Sequence, residues 1–139
     1  MAIDINKIKL PAQKLNELKV GLVYLFGSEA EGTAGPLSDV DIGIVFTDPK
    51  IARGDTSKIY NELYNILTDF FDMSNFRNMD IVFLERASLE LRFDVISHGV
   101  VLFEISSDFR MDFEERIAAL YRDFKPLLQE FNSSILARI

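Results

Sequence analysis

The stretch Gly27–Asp41, GSEAEGTAGPLSDVD, sets a Gly-Ser pair ten residues ahead of an Asp-x-Asp. The apolar run Leu22–Phe26 precedes it and reads as a buried strand, so Gly27 and Ser28 fall at the strand's exit. Asp39-Val40-Asp41 leads into Ile42–Phe46, which reads as a second strand. Side chains alternate along a strand, so Asp39 and Asp41 share one face while Val40, Ile42, Ile44 and Phe46 share the other. Two carboxylates roughly 7 Å apart along a strand, next to a turn of small residues, suit a divalent metal that holds a nucleoside triphosphate.

The elements that must position these groups follow from punctuation and periodicity. Pro11 opens a short helix over 12–19 with Leu15 and Leu18 inward, and strands follow at about 22–26 and 40–46. Residues 47–56 carry turn chemistry. Ile59, Leu63, Ile66, Leu67 and Phe70 recur at helical spacing and predict a helix over about 57–71. After a turn at 74–78, Met79–Leu84 reads as a third strand with Asp80, Val82 and Leu84 on one face. Ser88 caps a helix over about 89–97 that Gly99 ends, and Val100–Glu104 is a fourth strand. A final helix from about Asp108 presents Phe113, Ile117, Leu120, Tyr121 and Phe124 on one side. Pro126 is expected to kink or restart it, with Leu127, Leu128, Phe131, Ile135 and Ile139 continuing the stripe. The expectation is one α/β (α+β) domain over 1–139, with a mixed sheet of about four to five strands flanked by helices and a C-terminal helical segment over about 108–139.

Composition narrows the function. The chain has 139 residues, 48% hydrophobic, enough for an ordinary core. No run reaches the roughly 18 apolar residues of a membrane span, and MAIDINKIKLP has no signal-peptide core. The absence of cysteine removes disulfides and thiolate zinc sites and fits the cytoplasm. A formal net charge of −7 argues against a domain that holds nucleic acid by neutralising phosphates. It favours a basic protein partner.

A Gly-Ser pair alone is a turn, and Asp-x-Asp alone is a solvated strand edge. Together, at this spacing and between two strands, they are specific. GSEAEGTAGPLSDVD resembles the GS-x10-D-x-D signature of the minimal nucleotidyltransferases in the DNA polymerase β superfamily. MDIVFLERASLELRFDVISHGVVLFE and LYRDFKPLLQEF resemble the downstream part of the MNT antitoxins, partners of HEPN-domain ribonuclease toxins. The resemblance runs from about Val20 to about Phe131.

It implies the nucleotidyltransferase fold and a role for each motif residue. Gly27 lets the backbone approach a phosphate, and Ser28 adds a hydroxyl and an amide donor. Asp39 and Asp41 are metal ligands whose hard oxygens select Mg²⁺, two ions, with Mn²⁺ as a substitute. Asp80 matches the third carboxylate, on a strand beside the Asp-x-Asp strand, where it holds metal and accepts the proton of the attacking hydroxyl. Gly43, on the aspartate face, leaves space there or marks a bulge. One departure stands out: Glu29 and Glu31 occupy a loop where many family members carry arginine, and they repel a triphosphate.

The implied function is transfer of AMP from ATP to a tyrosine hydroxyl of a cognate HEPN toxin, which neutralises the toxin. Two other readings stay open: a non-catalytic antitoxin that only masks the toxin, and a small-molecule nucleotidyltransferase. The latter is disfavoured because about 35 residues follow the fourth strand, too few for an acceptor domain. His98, the only histidine, suits a helix end rather than catalysis. The stripe of the last helix suits a core, or beyond Pro126 a partner surface.

Overall fold

The computed structural model describes residues 8–31, 39–73 and 77–137. Helices and strands alternate along them: α1 (Ala12–Glu17), β1 (Val20–Phe26), α2 (Ser28–Glu31), β2 (Val40–Phe46), α3 (Ser57–Thr68), β3 (Met79–Phe83), α4 (Leu89–His98), β4 (Val100–Glu104) and α5 (Ser107–Ala137), with 3-10 turns at Pro49–Arg53 and Leu84–Arg86. The strands form one mixed sheet in the order β3-β2-β1-β4. β1 pairs antiparallel with β2 and β4, whereas β2 pairs parallel with β3. A parallel neighbour needs a crossover, and α3 supplies it.

Both faces of the sheet are covered, which is why β1 is a continuous apolar run and not an alternating one. On one face Val23, Leu25, Val40, Ile42, Ile44 and Phe46 pack with Leu15 of α1 and with Leu63 and Leu67 of α3. On the other, Leu22, Tyr24, Val45 and Leu84 pack with Val95 of α4 and with Phe113 and Ile117 of α5. The alternation expected for β2 is therefore seen: Val40, Ile42, Ile44 and Phe46 enter the first core and Asp41 leaves it.

Local signals place most boundaries. Ser88 accepts a hydrogen bond from the Leu91 amide at 3.1 Å and starts α4, and Gly99 caps its end. His98 closes α4 with its Nδ1 3.1 Å from Asp94, the helix-end position expected for it. Three expectations are corrected. α3 ends at Thr68, short of Phe70, which is 36% exposed because it lies past the last turn that faces the sheet. Leu84 leaves the strand for a 3-10 turn, yet its side chain stays on the same face as Val82. Pro126 does not restart the last helix, since α5 runs through it to Ala137. A proline removes one backbone hydrogen bond, and a 31-residue helix retains enough turns on either side to continue. Residues 74–76 of the predicted turn, the side chain of Ile135, and Ile139 lie outside the described residues.

Candidate active site

The predicted site residues lie at the end of the sheet where β1 leaves and β2 and β3 enter. Phe26, the last residue of β1, is the register partner of Asp41. Asp41 in turn pairs with Asp80 across the parallel β2–β3 ladder. In-register neighbours on adjacent strands lie about 5 Å apart and point their side chains to the same side. The two carboxylates therefore stand side by side, although 39 residues separate them in the chain. Asp39 precedes β2, with its exposed side chain two residues from Asp41. The amide of Val40, between them, donates to the Asn78 carbonyl at 2.9 Å and ties the start of β2 to the start of β3.

Gly27 completes the arrangement. Its φ of +71° is in the left-handed region, which L side chains rarely adopt. A Cβ at this position would also collide with Asp41 Oδ2. Two independent constraints, conformation and space, thus admit only glycine where the turn crosses the carboxylate. α2 begins directly after it at Ser28, so the backbone of the Gly-Ser pair lies beside Asp41; the side chains of Ser28 and Glu29 lie outside the described residues. Glu31 ends α2 with its side chain exposed to solvent.

The electrostatics follow from this crowding. Asp41 is half-buried, and its carboxyl is pushed above the usual carboxylate range, first by burial and then by the charges of Asp80 and Asp39. No basic side chain among the described residues offsets these causes. Among the described residues, no three carboxylates or imidazoles are drawn together closely enough to cage an ion by themselves. That donor set fits Mg²⁺ with a triphosphate, since Mg²⁺ typically takes one or two carboxylates and completes its shell with phosphate oxygens and water. It does not resemble a structural zinc or calcium cage, which protein ligands fill.

Gly43 has a different role from the one expected. The space over it is filled by Leu84, whose side-chain carbons lie 3.2–3.3 Å from where a Cβ would be. The irregularities of the ladder fall between Val20 and Leu22 and between Val23 and Tyr24, so Gly43 marks no bulge. It admits a core side chain behind the aspartates.

A polymerase β nucleotidyltransferase family model matches residues 6–108, a span that holds all four strands and every residue of the candidate site. Solved structures with the same fold come from toxin–antitoxin complexes. One is a complex determined with AMP-PNP, a chain of which is 26% identical to this one at a TM-score of 0.67, covering 96% of this chain and 98% of that one. Another is the tri-AMPylated HEPN toxin of Shewanella oneidensis in complex with MNT antitoxin, at 20% identity and a TM-score of 0.61 over 89% of this chain and 94% of that one. A third, an MntA–HepT complex, agrees at 20% identity and a TM-score of 0.61 over 89% and 95%. No curated protein sequence matches the chain at a significant level. The Gly-Ser turn, the Asp-x-Asp strand and the matched span agree, and the chain belongs to the polymerase β nucleotidyltransferase family.

Proposed function

We propose that this nucleotidyltransferase moves AMP from ATP to a tyrosine hydroxyl of a HEPN toxin and thereby neutralises it. The observation that carries the reading is the pairing of Asp41 with Asp80 at the mouth of the Gly27 turn. Asp39, Asp41 and Asp80 would hold Mg²⁺, which when bound neutralises the triphosphate and polarises its α-phosphate. The backbone of Gly27 and Ser28 takes the distal phosphates, since a turn without a Cβ lets amides approach them. The tyrosine oxygen then bonds to the α-phosphorus, the bond to the pyrophosphate oxygen breaks, and the phenolic proton passes to Asp80. Solved relatives that contain an AMPylated HEPN toxin or AMP-PNP support the choice of acceptor and nucleotide. Incubation with α-labelled ATP, Mg²⁺ and a cognate HEPN toxin should label a toxin tyrosine. Toxin that is silenced but unlabelled would show a masking antitoxin instead.

Nucleotide binding should require the cation. The paired Asp41 and Asp80, with Asp39 two residues away, repel a triphosphate, so calorimetry should detect little ATP binding in EDTA and clear binding with Mg²⁺. Equal affinity in both conditions would rule out a metal bridge.

The partner surface is proposed on α5. Phe113 and Ile117 are 8% and 3% exposed and belong to the core, but Phe124, Leu127 and Phe131 are 45%, 60% and 62% exposed. Large apolar groups left in water on one helix face are the usual anchors of an interface. Truncation after Lys125 should therefore keep a cooperative melt and Mg²⁺–ATP binding while weakening toxin binding at least about tenfold. A folded truncation that binds toxin normally would place the interface elsewhere.

A further inference from the structure

We infer that the chain has a second binding site, for a small organic anion with a flat apolar body, at the end of the sheet opposite the aspartates. A cavity of about 450 Å³ opens there between α5, the last residues of β2 and the two 3-10 turns. That volume is in the range of small-molecule sites. Phe109, Phe113 and Ile117 provide apolar walls, while Arg53, Arg86, Arg92 and Arg116 surround them. These arginines come from four separate elements and face a single carboxylate, Glu85. In a chain of net charge −7, a cavity with this excess of positive charge runs against the bulk composition.

The hydrogen bonds separate structural arginines from available ones. Arg86 donates from Nε to the Ala52 carbonyl at 2.5 Å and from Nη2 to the Gly54 carbonyl at 2.9 Å, which holds the first 3-10 turn in place. Glu85 accepts the Phe46 amide at 2.6 Å through Oε1. Arg92 lies near Glu85 electrostatically, yet Nε of Arg92 and Oε2 of Glu85 are both buried without a hydrogen-bond partner. Neither Arg53 nor Arg116 takes part in an ion pair among the described residues. Arg53, Arg92 and Arg116 line one cavity, and an oxyanion seated among them gains charge-assisted hydrogen bonds, at Arg53 and Arg116 from guanidinium groups that make no ion pair of their own among the described residues. The phenyl rings take the flat body of the ligand.

The site is separate from the aspartates. Asp41 and Val45 lie on the same face of β2, on the order of 13 Å apart along the strand. Leu84 fills the space over Gly43 between them. A nucleotide held at the Gly27 turn is thus walled off from the far cavity. Phosphate and carboxylate head groups share the required chemistry, and a nucleoside monophosphate or an aromatic carboxylate has the required size.

Methyl NMR on the metal-free full chain tests this, with AMP, adenosine and indole-3-propionate as probes. AMP or indole-3-propionate should shift the methyls of Val45, Ile117 and Leu120 saturably, more than those of Val40 and Ile42, and the tighter of the two identifies the head group. Adenosine, which lacks the anion, should bind at least about tenfold more weakly. The exposed double variant Arg53→Gln/Arg116→Gln should lose a similar factor, as should Arg92→Gln, whereas Asp41→Asn should bind like wild type. If Arg92→Gln fails to fold, the double variant decides alone. Unmoved Val45, Ile117 and Leu120 methyls with both anions, equal binding of adenosine and AMP, or unchanged affinity in the arginine double variant would each overturn the proposal.

Discussion

Asp41→Asn is expected to lower AMP transfer by at least about 10²-fold and, at the same time, to raise the melting temperature of the metal-free protein. Asparagine keeps the shape but removes a charge that burial, Asp80 and Asp39 all disfavour. The pH dependence has a definite sign. An acid whose folded pKa is raised binds its proton more tightly in the native state, so stability falls as pH rises from the unfolded value of 3.8 through the folded value. The penalty is then fully present at neutral pH. The variant should melt above wild type at pH 7, and the difference should shrink towards zero below about pH 3.8. Asp39→Asn should reduce transfer to a similar degree. Wild-type transfer rates in the Asp39/Asp41 double variant would exclude both as ligands. A variant that melts lower at pH 7 would mean that Asp41 is held by an attractive partner.

Gly27→Ala should be nearly as severe for activity and should also destabilise the fold. Alanine at a φ of +71° costs on the order of 1–2 kcal/mol. Its Cβ would also collide with Asp41 Oδ2, so either the turn or the carboxylate must move. Either movement disrupts the alignment of the phosphate turn with the aspartates, where displacements near 1 Å cost about 10²-fold in rate. Urea denaturation and the transfer assay read the two effects separately. Gly43→Ala is the informative control. Its Cβ would press on Leu84 at 3.2–3.3 Å, in the core behind the site, so it should lower stability and leave the transfer rate of the folded fraction near wild type. A Gly27→Ala protein with normal transfer would show that the turn does not set the geometry of the site.

The strand pair around the Asp-x-Asp was legible because its signals are local. Apolar runs bounded by Gly27 and Asp39, and a two-residue period through Val40–Phe46, need no knowledge of the rest of the chain. The α4 caps at Ser88 and Gly99 were legible for the same reason. Beyond Pro126 the same periodicity could not separate core from surface. A helical stripe records which side chains lie together, not whether anything covers them. Only the length of the sheet decided that: it ends under Phe113 and Ile117 and leaves Phe124, Leu127 and Phe131 uncovered.

Local spacing by itself pointed to Gly27, Asp39 and Asp41 as one site, because the Gly-Ser pair lies at the exit of one strand and the Asp-x-Asp at the entry of the next. Tertiary structure alone decided what surrounds them. The parallel β2–β3 register sets Asp80 against Asp41, because strand pairing depends on packing across the crossover helix. The exclusion of a Cβ at Gly27 by Asp41, and the filling of Gly43 by Leu84, arise from contacts between separate elements. The four arginines of the far cavity, at positions 53, 86, 92 and 116, have no shared spacing to betray them. Sequence patterns record periodic constraints within an element, and convergence of side chains from four elements is a property of the packed sheet and helices alone.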